Sequence, residues 1–172
     1  CTKAELIRLG KAADSSIIDN DAALAYGANQ FKVNFRELRE VFEESAWARA
    51  NIIIAVAGGA TDGTSGVREA ADQTMRREIE RFADVIFASS VAQREFWIGE
   101  RAMSVDEIRQ TYRGLKPCLH GSDAHRIDDV ATPFGDRFSW IKGGLEFYAL
   151  RQACIDPRGR AHVGSEPRAS AT

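Results

Sequence analysis

The sequence is poor in histidine and cysteine, and the few it has are unevenly placed. It holds three histidines in 172 residues, and none precedes His120. A metal site built on imidazole must therefore draw on the last part of the chain. The three cysteines, Cys1, Cys118 and Cys154, are odd in number and widely spaced. They fit reduced thiols in a cytosolic protein better than a disulfide framework. No apolar run approaches the roughly 20 residues that a membrane helix needs, and "IIIAVA" is far too short. The opening "CTKAELIRLGK" lacks the apolar middle region of a secretory signal. Charge of one sign is also lacking. The formal net charge is −2, which argues against a strongly basic nucleic-acid-binding surface and leaves room for a local patch. There is no internal repeat and no low-complexity tract. What remains, 44% hydrophobic and 28% charged, is an ordinary globular composition sufficient for one core. A chain beginning with Cys is expected to be a processed product or a fragment of something longer.

Strands and helices alternate through most of the sequence. Residues 2–12 read as a short helix, and residues 14–30 as a loop with a possible helical turn. From Asn34, a plausible N-cap, Phe35, Leu38, Val41, Phe42 and Trp47 recur near a 3.6-residue period, which predicts a helix running to Asn51. The β-branched run Ile52–Val56 predicts a buried strand of the parallel-sheet kind. Its exit, "GGATDGTSG" at 58–66, leads into a predicted helix over 67–83. "DVIFASS" at 84–90 is a second short strand, and "VAQREFWIGE" is helical. Ser104 and Glu107 have capping-box spacing and open a further helix through Tyr112. "KPCLHGS" is the third buried strand with its exit, and "RFSWIKG" a short strand. "GGLEFYALRQACI" is an amphipathic helix ending before Asp156–Pro157. The tail "SEPRASAT" reads as a linker or frayed end. This alternation predicts an α/β fold with a parallel sheet or barrel, in which strand C-termini carry the chemistry. The domain is expected over 1–165, with 166–172 as tail.

Two unusual stretches lie where strands end. "KPCLHGSDAH" places Cys118, His120, Asp123 and His125 close together. Asp123 and His125 are two apart, so in an extended segment they project to one side. A carboxylate and an imidazole presented together suit divalent Zn, Mn or Fe, and Gly121 allows a sharp turn there. The alternative is an Asp–His hydrogen bond in a loop. His120 has the opposite parity and is a ligand, a second group behind the ligands, or a packed strand-end residue. Cys118 reads as a small buried apolar residue. The glycine loop offers close backbone approach and the N–H groups of the following helix to an anion. It is no Walker loop, because no Lys-Ser/Thr follows its last glycine. Gly59, Thr64 and Ser65 are candidate substrate contacts, with a structural turn and plain helix caps as the alternative. Asp62 is a further candidate for reaching a metal. Arg126 and Arg137 flank the Asp-x-His segment and are candidate phosphate ligands. "MRREIERF" reads as a solvated helix face with Ile79 and Phe82 inward, "REFW" as core packing by Phe96 and Trp97, and His162 is given no role.

"GSDAH" followed by "RFSWIKGGLEFYALRQA" resembles the end of a PHP domain, the polymerase and histidinol phosphatase family. It is most similar to the PHP domain at the front of TrlF-type AAA-like ATPases. "VAGGATDGTSG", "MRREIERFADVIFASS" and "REFWIGE" extend the resemblance over roughly residues 35–165. The resemblance implies a distorted (β/α)7 barrel that holds up to three divalent metal ions (Mn, Zn or Fe) and hydrolyses phosphate esters. The family's last metal-binding motif carries over to Asp123 and His125, which would then be both metal-binding and catalytic, with His120 as a further ligand. The chain departs from the family in having no H-x-H motif. The barrel's opening strands are thus expected upstream of Cys1 and an ATPase downstream of Thr172. The implied function is the C-terminal part of a metal-dependent phosphoesterase in a larger ATPase. Its substrate would be a phosphorylated small molecule, a nucleotide or nucleic acid. The alternative is a non-catalytic nucleotide- or partner-binding module with an incomplete metal site. The expected setting is cytoplasmic, without a membrane, and with self-association or a second chain covering the missing strands.

Overall fold

The computed structural model describes residues 2–31, 33–58, 73–88, 90–121, 124, 126–130, 132 and 138–167. The chain divides into two compact units, Cys1–Ala48 and Arg49–Thr172.

The first unit is helical. α1 (Lys3–Ala13) opens on a capping box in which Thr2 and Glu5 satisfy each other's backbone N–H groups. α2 (Asn20–Gln30) is capped by Asp19, whose carboxylate accepts from the Ala22 N–H at 2.7 Å. The sequence reading took this stretch for a loop. The reason lies in what α2 buries: Ala23 and Gly27, not large apolar residues. Its inward stripe therefore carries no hydrophobic period. The two helices approach so closely that a Cβ on Gly10 would meet the Ala23 carbonyl oxygen, and one on Gly27 the Leu6 carbonyl oxygen. α3 (Phe35–Glu44) starts at the expected cap, Asn34, whose side chain accepts from the Arg36 N–H at 2.9 Å. The predicted helix to Asn51 is interrupted at Ser45, which is extended and whose hydroxyl accepts from the Ala48 N–H at 3.1 Å. That bond caps a new helix, α4 (Ala46–Asn51), whose residues from Arg49 on belong to the second unit.

The second unit is mixed α/β. Its three-stranded sheet has the order β1-β2-β5, all parallel, formed by β1 (Ala55–Ala57), β2 (Val85–Phe87) and β5 (Cys118–Leu119). The first strand starts later than the Ile52–Val56 expectation. The Asp84 carboxylate accepts from the Ile54 N–H at 2.8 Å, and Ile54 O accepts from Asp84 N and Val85 N. A side chain thus takes a ladder position and delays regular pairing. α5 (Gln73–Phe82) precedes β2, and α6 (Val91–Trp97) follows it under a Ser90 cap. A tight hairpin of β3 (Glu100–Arg101) and β4 (Met103–Ser104) turns through Ala102 at φ 59°. α7 (Val105–Tyr112) then opens on the expected Ser104–Glu107 capping box.

The core lies between the sheet and these helices. Ile86, Ala88, Trp97 and Cys118 are buried together, with Val56, Phe96 and Tyr112 packed against them. Trp97 and Tyr112 meet edge to face with centroids 4.8 Å apart, and Phe96 and Trp97 at 5.1 Å. Such pairs add specificity beyond the area they bury.

β6 (Phe138–Ile141) pairs antiparallel with β7 (Ala161–Gly164), and α8 (Phe147–Ile155) and α9 (Pro157–Arg160) lie between them. The sequence predicts that the helix ends before Asp156–Pro157 and names no element beyond it. Instead Pro157 opens α9, where its missing N–H costs nothing, and the Asp156 carboxylate accepts from the Gly159 N–H at 3.1 Å. His162, given no role from the sequence, pairs with Trp140 in the β6–β7 ladder. No helix among the described residues is long and apolar enough to cross a membrane.

Candidate functional site

Parallel strands place their C-termini at one end of a sheet, and that rule fixes the geography here. Ala57 pairs with Phe87, and Phe87 with Leu119. Gly58 N donates to Phe87 O at 2.8 Å, and Ala88 N to Leu119 O at 3.0 Å. The exits of β1, β2 and β5 therefore open on the same end. The glycine loop begins at Gly58, and the His120–His125 segment begins one residue beyond β5. Both unusual stretches thus leave from one side of one sheet.

Gly58 is locked from three directions. A Cβ there would sit 2.7 Å from Ile86 Cγ2, so only glycine fits without displacement. Its carbonyl accepts from Gln93 Nε2 at 2.9 Å and from an Arg76 guanidinium nitrogen at 3.1 Å. His120 is half-buried, and its backbone is held by one hydroxyl. His120 N donates to Ser139 Oγ at 2.7 Å, and Ser139 Oγ lies 3.0 Å from His120 O, to which it donates. This clamp ties the β5 exit to β6. Arg126 is exposed, at the start of a single 3-10 turn over Ile127–Asp129. Asp123, His125, Arg137, Gly59, Thr64, Ser65 and Asp62 lie outside the described residues. Among the described residues no group of three or more His, Cys, Asp or Glu side chains is placed to hold a metal. Cys118 is buried and its thiol is pushed up to about 12 by desolvation, against a weak pull from Arg94. It behaves as the small apolar residue that the sequence suggests.

On the helix side of the β1 exit, a cleft of about 610 Å³ opens between α5 and α6. Gly58 and Gln93 lie at one end, Arg76, Arg77 and Glu80 along α5, Phe96 and Trp97 along α6, and Arg101 and Tyr112 complete it. The reading of "MRREIERF" as a plain solvated face is corrected here. Arg76 and Glu80 are both largely buried and form an ion pair at 2.9 Å. Burial raises the Tyr112 phenol above its ordinary value, helped by the nearby Glu80 charge and opposed by Arg77, which also hydrogen-bonds it. Sequence reasoning saw charges at helical spacing and missed that i,i+4 Arg–Glu pairing lets one flank of α5 go under cover. The aromatic pair Phe96–Trp97 was expected as core. Trp97 is buried, while Phe96 is half-buried and also faces the cleft.

A third cluster lies at the opposite end of the sheet. Lys116, buried just before β5, donates from Nζ to the Ala83 carbonyl. Desolvation lowers its ammonium to about 8, with Asp84 and Cys154 pulling the other way. Cys154 is raised to about 11, chiefly by burial and then by Asp84. A thiol held protonated at neutral pH is a poor nucleophile. In comparisons with known proteins, no family model matches the chain, and no curated protein or solved structure does either.

Proposed function

We propose that this chain is the C-terminal part of a PHP-type metal-dependent phosphoesterase, with the three-stranded sheet as a segment of its (β/α)7 barrel. One observation carries the reading. The glycine-rich exit of β1 and the His120–His125 exit of β5 leave from the same end of a parallel sheet. That is the end where α/β folds bind ligands.

In this reading Asp123 and His125 hold a divalent metal, Mn, Zn or Fe, with His120 as a further ligand at the strand end. The Ser139 clamp on the His120 backbone fixes where that segment starts. The metal would supply Lewis acidity and lower the pKa of a bound water. Arg126 and Arg137, with Gly59, Thr64 and Ser65 across the sheet end, would steady the phosphate. The substrate is a phosphate ester, nucleotide or nucleic acid, and further ligands would have to join Asp123, His125 and His120 to complete the site.

The test has two arms. This chain binds Mn²⁺ weakly by calorimetry, and Asp123→Ala with His125→Ala removes that binding. A version extended upstream to include an H-x-H hydrolyses bis-p-nitrophenyl phosphate, and Asp123→Ala abolishes the activity. An extended enzyme indifferent to Asp123→Ala overturns the assignment.

A further inference from the structure

The cleft between α5 and α6 has a composition that the metal reading does not use. Its charge is unevenly matched. Arg76 is spent on Glu80 and on the Gly58 carbonyl. Arg77 makes no ion pair among the described residues, and its hydrogen-bonded neighbour is the Tyr112 phenol. Arg101, 60% exposed at the rim, pairs with Glu95 at 3.4 Å. With Glu80 neutralised by Arg76, the guanidinium of Arg77 and that of Arg101, whose solvent-exposed pair with Glu95 is weak, are left for a ligand in a cleft whose walls also include the half-buried rings of Phe96 and Tyr112. A volume of about 610 Å³ lies inside the range of small-molecule sites. Guanidinium forks match phosphate oxygens bidentately, and aromatic walls accept a planar ring. The Gln73 amide, exposed at the start of α5, adds a donor and an acceptor for a heterocycle edge.

We infer that this cleft is a nucleoside monophosphate site, with the phosphate on Arg77 and Arg101 and the base against Phe96 and Tyr112. Inorganic phosphate would satisfy the arginines and leave the apolar walls wet. A nucleoside would fill the walls and leave the Arg77 cation without a counter-charge. Only the joined molecule uses both. The site is carried by described residues and does not depend on Asp123, so it stands apart from the phosphoesterase reading.

The experiment is calorimetric titration of the chain in EDTA with AMP, adenosine and inorganic phosphate, at low and high salt. AMP binds saturably, and adenosine and phosphate each bind at least tenfold more weakly. Raising salt weakens AMP and leaves adenosine unchanged. Arg77→Gln with Arg101→Gln lowers AMP affinity at least tenfold without changing adenosine binding. Both side chains are exposed, and the circular-dichroism spectrum and urea midpoint of the variant report that it folds. Asp123→Ala binds AMP as the parent chain does, which separates failure of this site from failure of the metal site. Absence of saturable AMP binding overturns the proposal. So does an unchanged affinity in the double arginine variant, or phosphate binding as tightly as AMP.

Discussion

Lys116 lets one side chain be read through the pH dependence of stability. Its ammonium is buried, is held at the Ala83 carbonyl, and titrates at about 8 instead of 10.5. In the unfolded chain the group keeps its ordinary value. Below pH 8 it is charged in both states, and the folded protein bears the full cost of burying the charge. Between pH 8 and 10.5 the unfolded chain binds more protons than the folded one, so stability rises with pH across that window. A depression of that size corresponds to about 3 kcal/mol. Two cysteines work against the rise. Cys118 and Cys154 titrate later in the folded state, at about 12 and about 11 against 9.0, so their terms lower stability above pH 9. The comparison must therefore be a difference between wild type and Lys116→Met, in which the cysteine terms largely cancel. At pH 7 the two proteins should be within about 2 kcal/mol of each other, because the variant sheds the buried charge and leaves the Ala83 carbonyl without its donor. The stability of wild type minus that of the variant should then climb by about 3 kcal/mol between pH 8 and 10.5. Urea denaturation at half-unit pH intervals measures it. A difference flat to within about 1 kcal/mol would refute the reasoning.

The helix contact in the first unit gives a second expectation. Gly27→Ala drives a methyl group into the Leu6 carbonyl and should destabilise the α1–α2 pair by about 1–3 kcal/mol, read by thermal circular dichroism. Asp84→Ala removes the acceptor of the Ile54 N–H, so that amide should lose hydrogen-exchange protection and the chain about 1–3 kcal/mol in urea. Cys118, buried and with its thiol pushed up to about 12, should resist iodoacetamide at pH 8 until denaturant is added, as peptide mass mapping would show.

The sequence was legible wherever a local rule acted alone. Asn34 and Ser104 announced their helices because a cap needs only its own side chain and the next three residues. β2 and β5 were legible from apolar runs, since Val85, Ile86 and Cys118 are buried, whereas the Ile52–Val56 run, expected to be a buried strand, is exposed at Ile52 and Ala55 and half-buried at Val56. Reading failed where a long-range partner replaced the local rule. Ile54 belongs to the apolar run, yet the carboxylate of Asp84 claims its N–H and pushes β1 forward. α2 hid because glycine and alanine form its contact surface, and β7 hid because a strand of Ala-His-Val-Gly has meaning only opposite β6. The shared direction of the two strand exits followed from the alternation of strands and helices. The cleft did not, since a guanidinium buried by its own i+4 carboxylate looks in sequence like any exposed pair.

The order of the sheet has a consequence for how the chain reaches its folded state. β2 is central, and its two neighbours arrive from opposite directions along the sequence. The bond from Ile54 to Asp84 closes a separation of 30 residues, and the bond from Lys116 to Ala83 closes 33. Closure entropy grows only with the logarithm of length, so these two loops differ by about 0.1 kcal/mol. Neither pairing has a head start. β2, carrying the fully enclosed Ile86, is the common template, and either flank can dock on it first. The expectation is two parallel routes converging on the same sheet, so that truncating Ile86 slows folding more than removing either flanking bond, as stopped-flow refolding of the variants would measure.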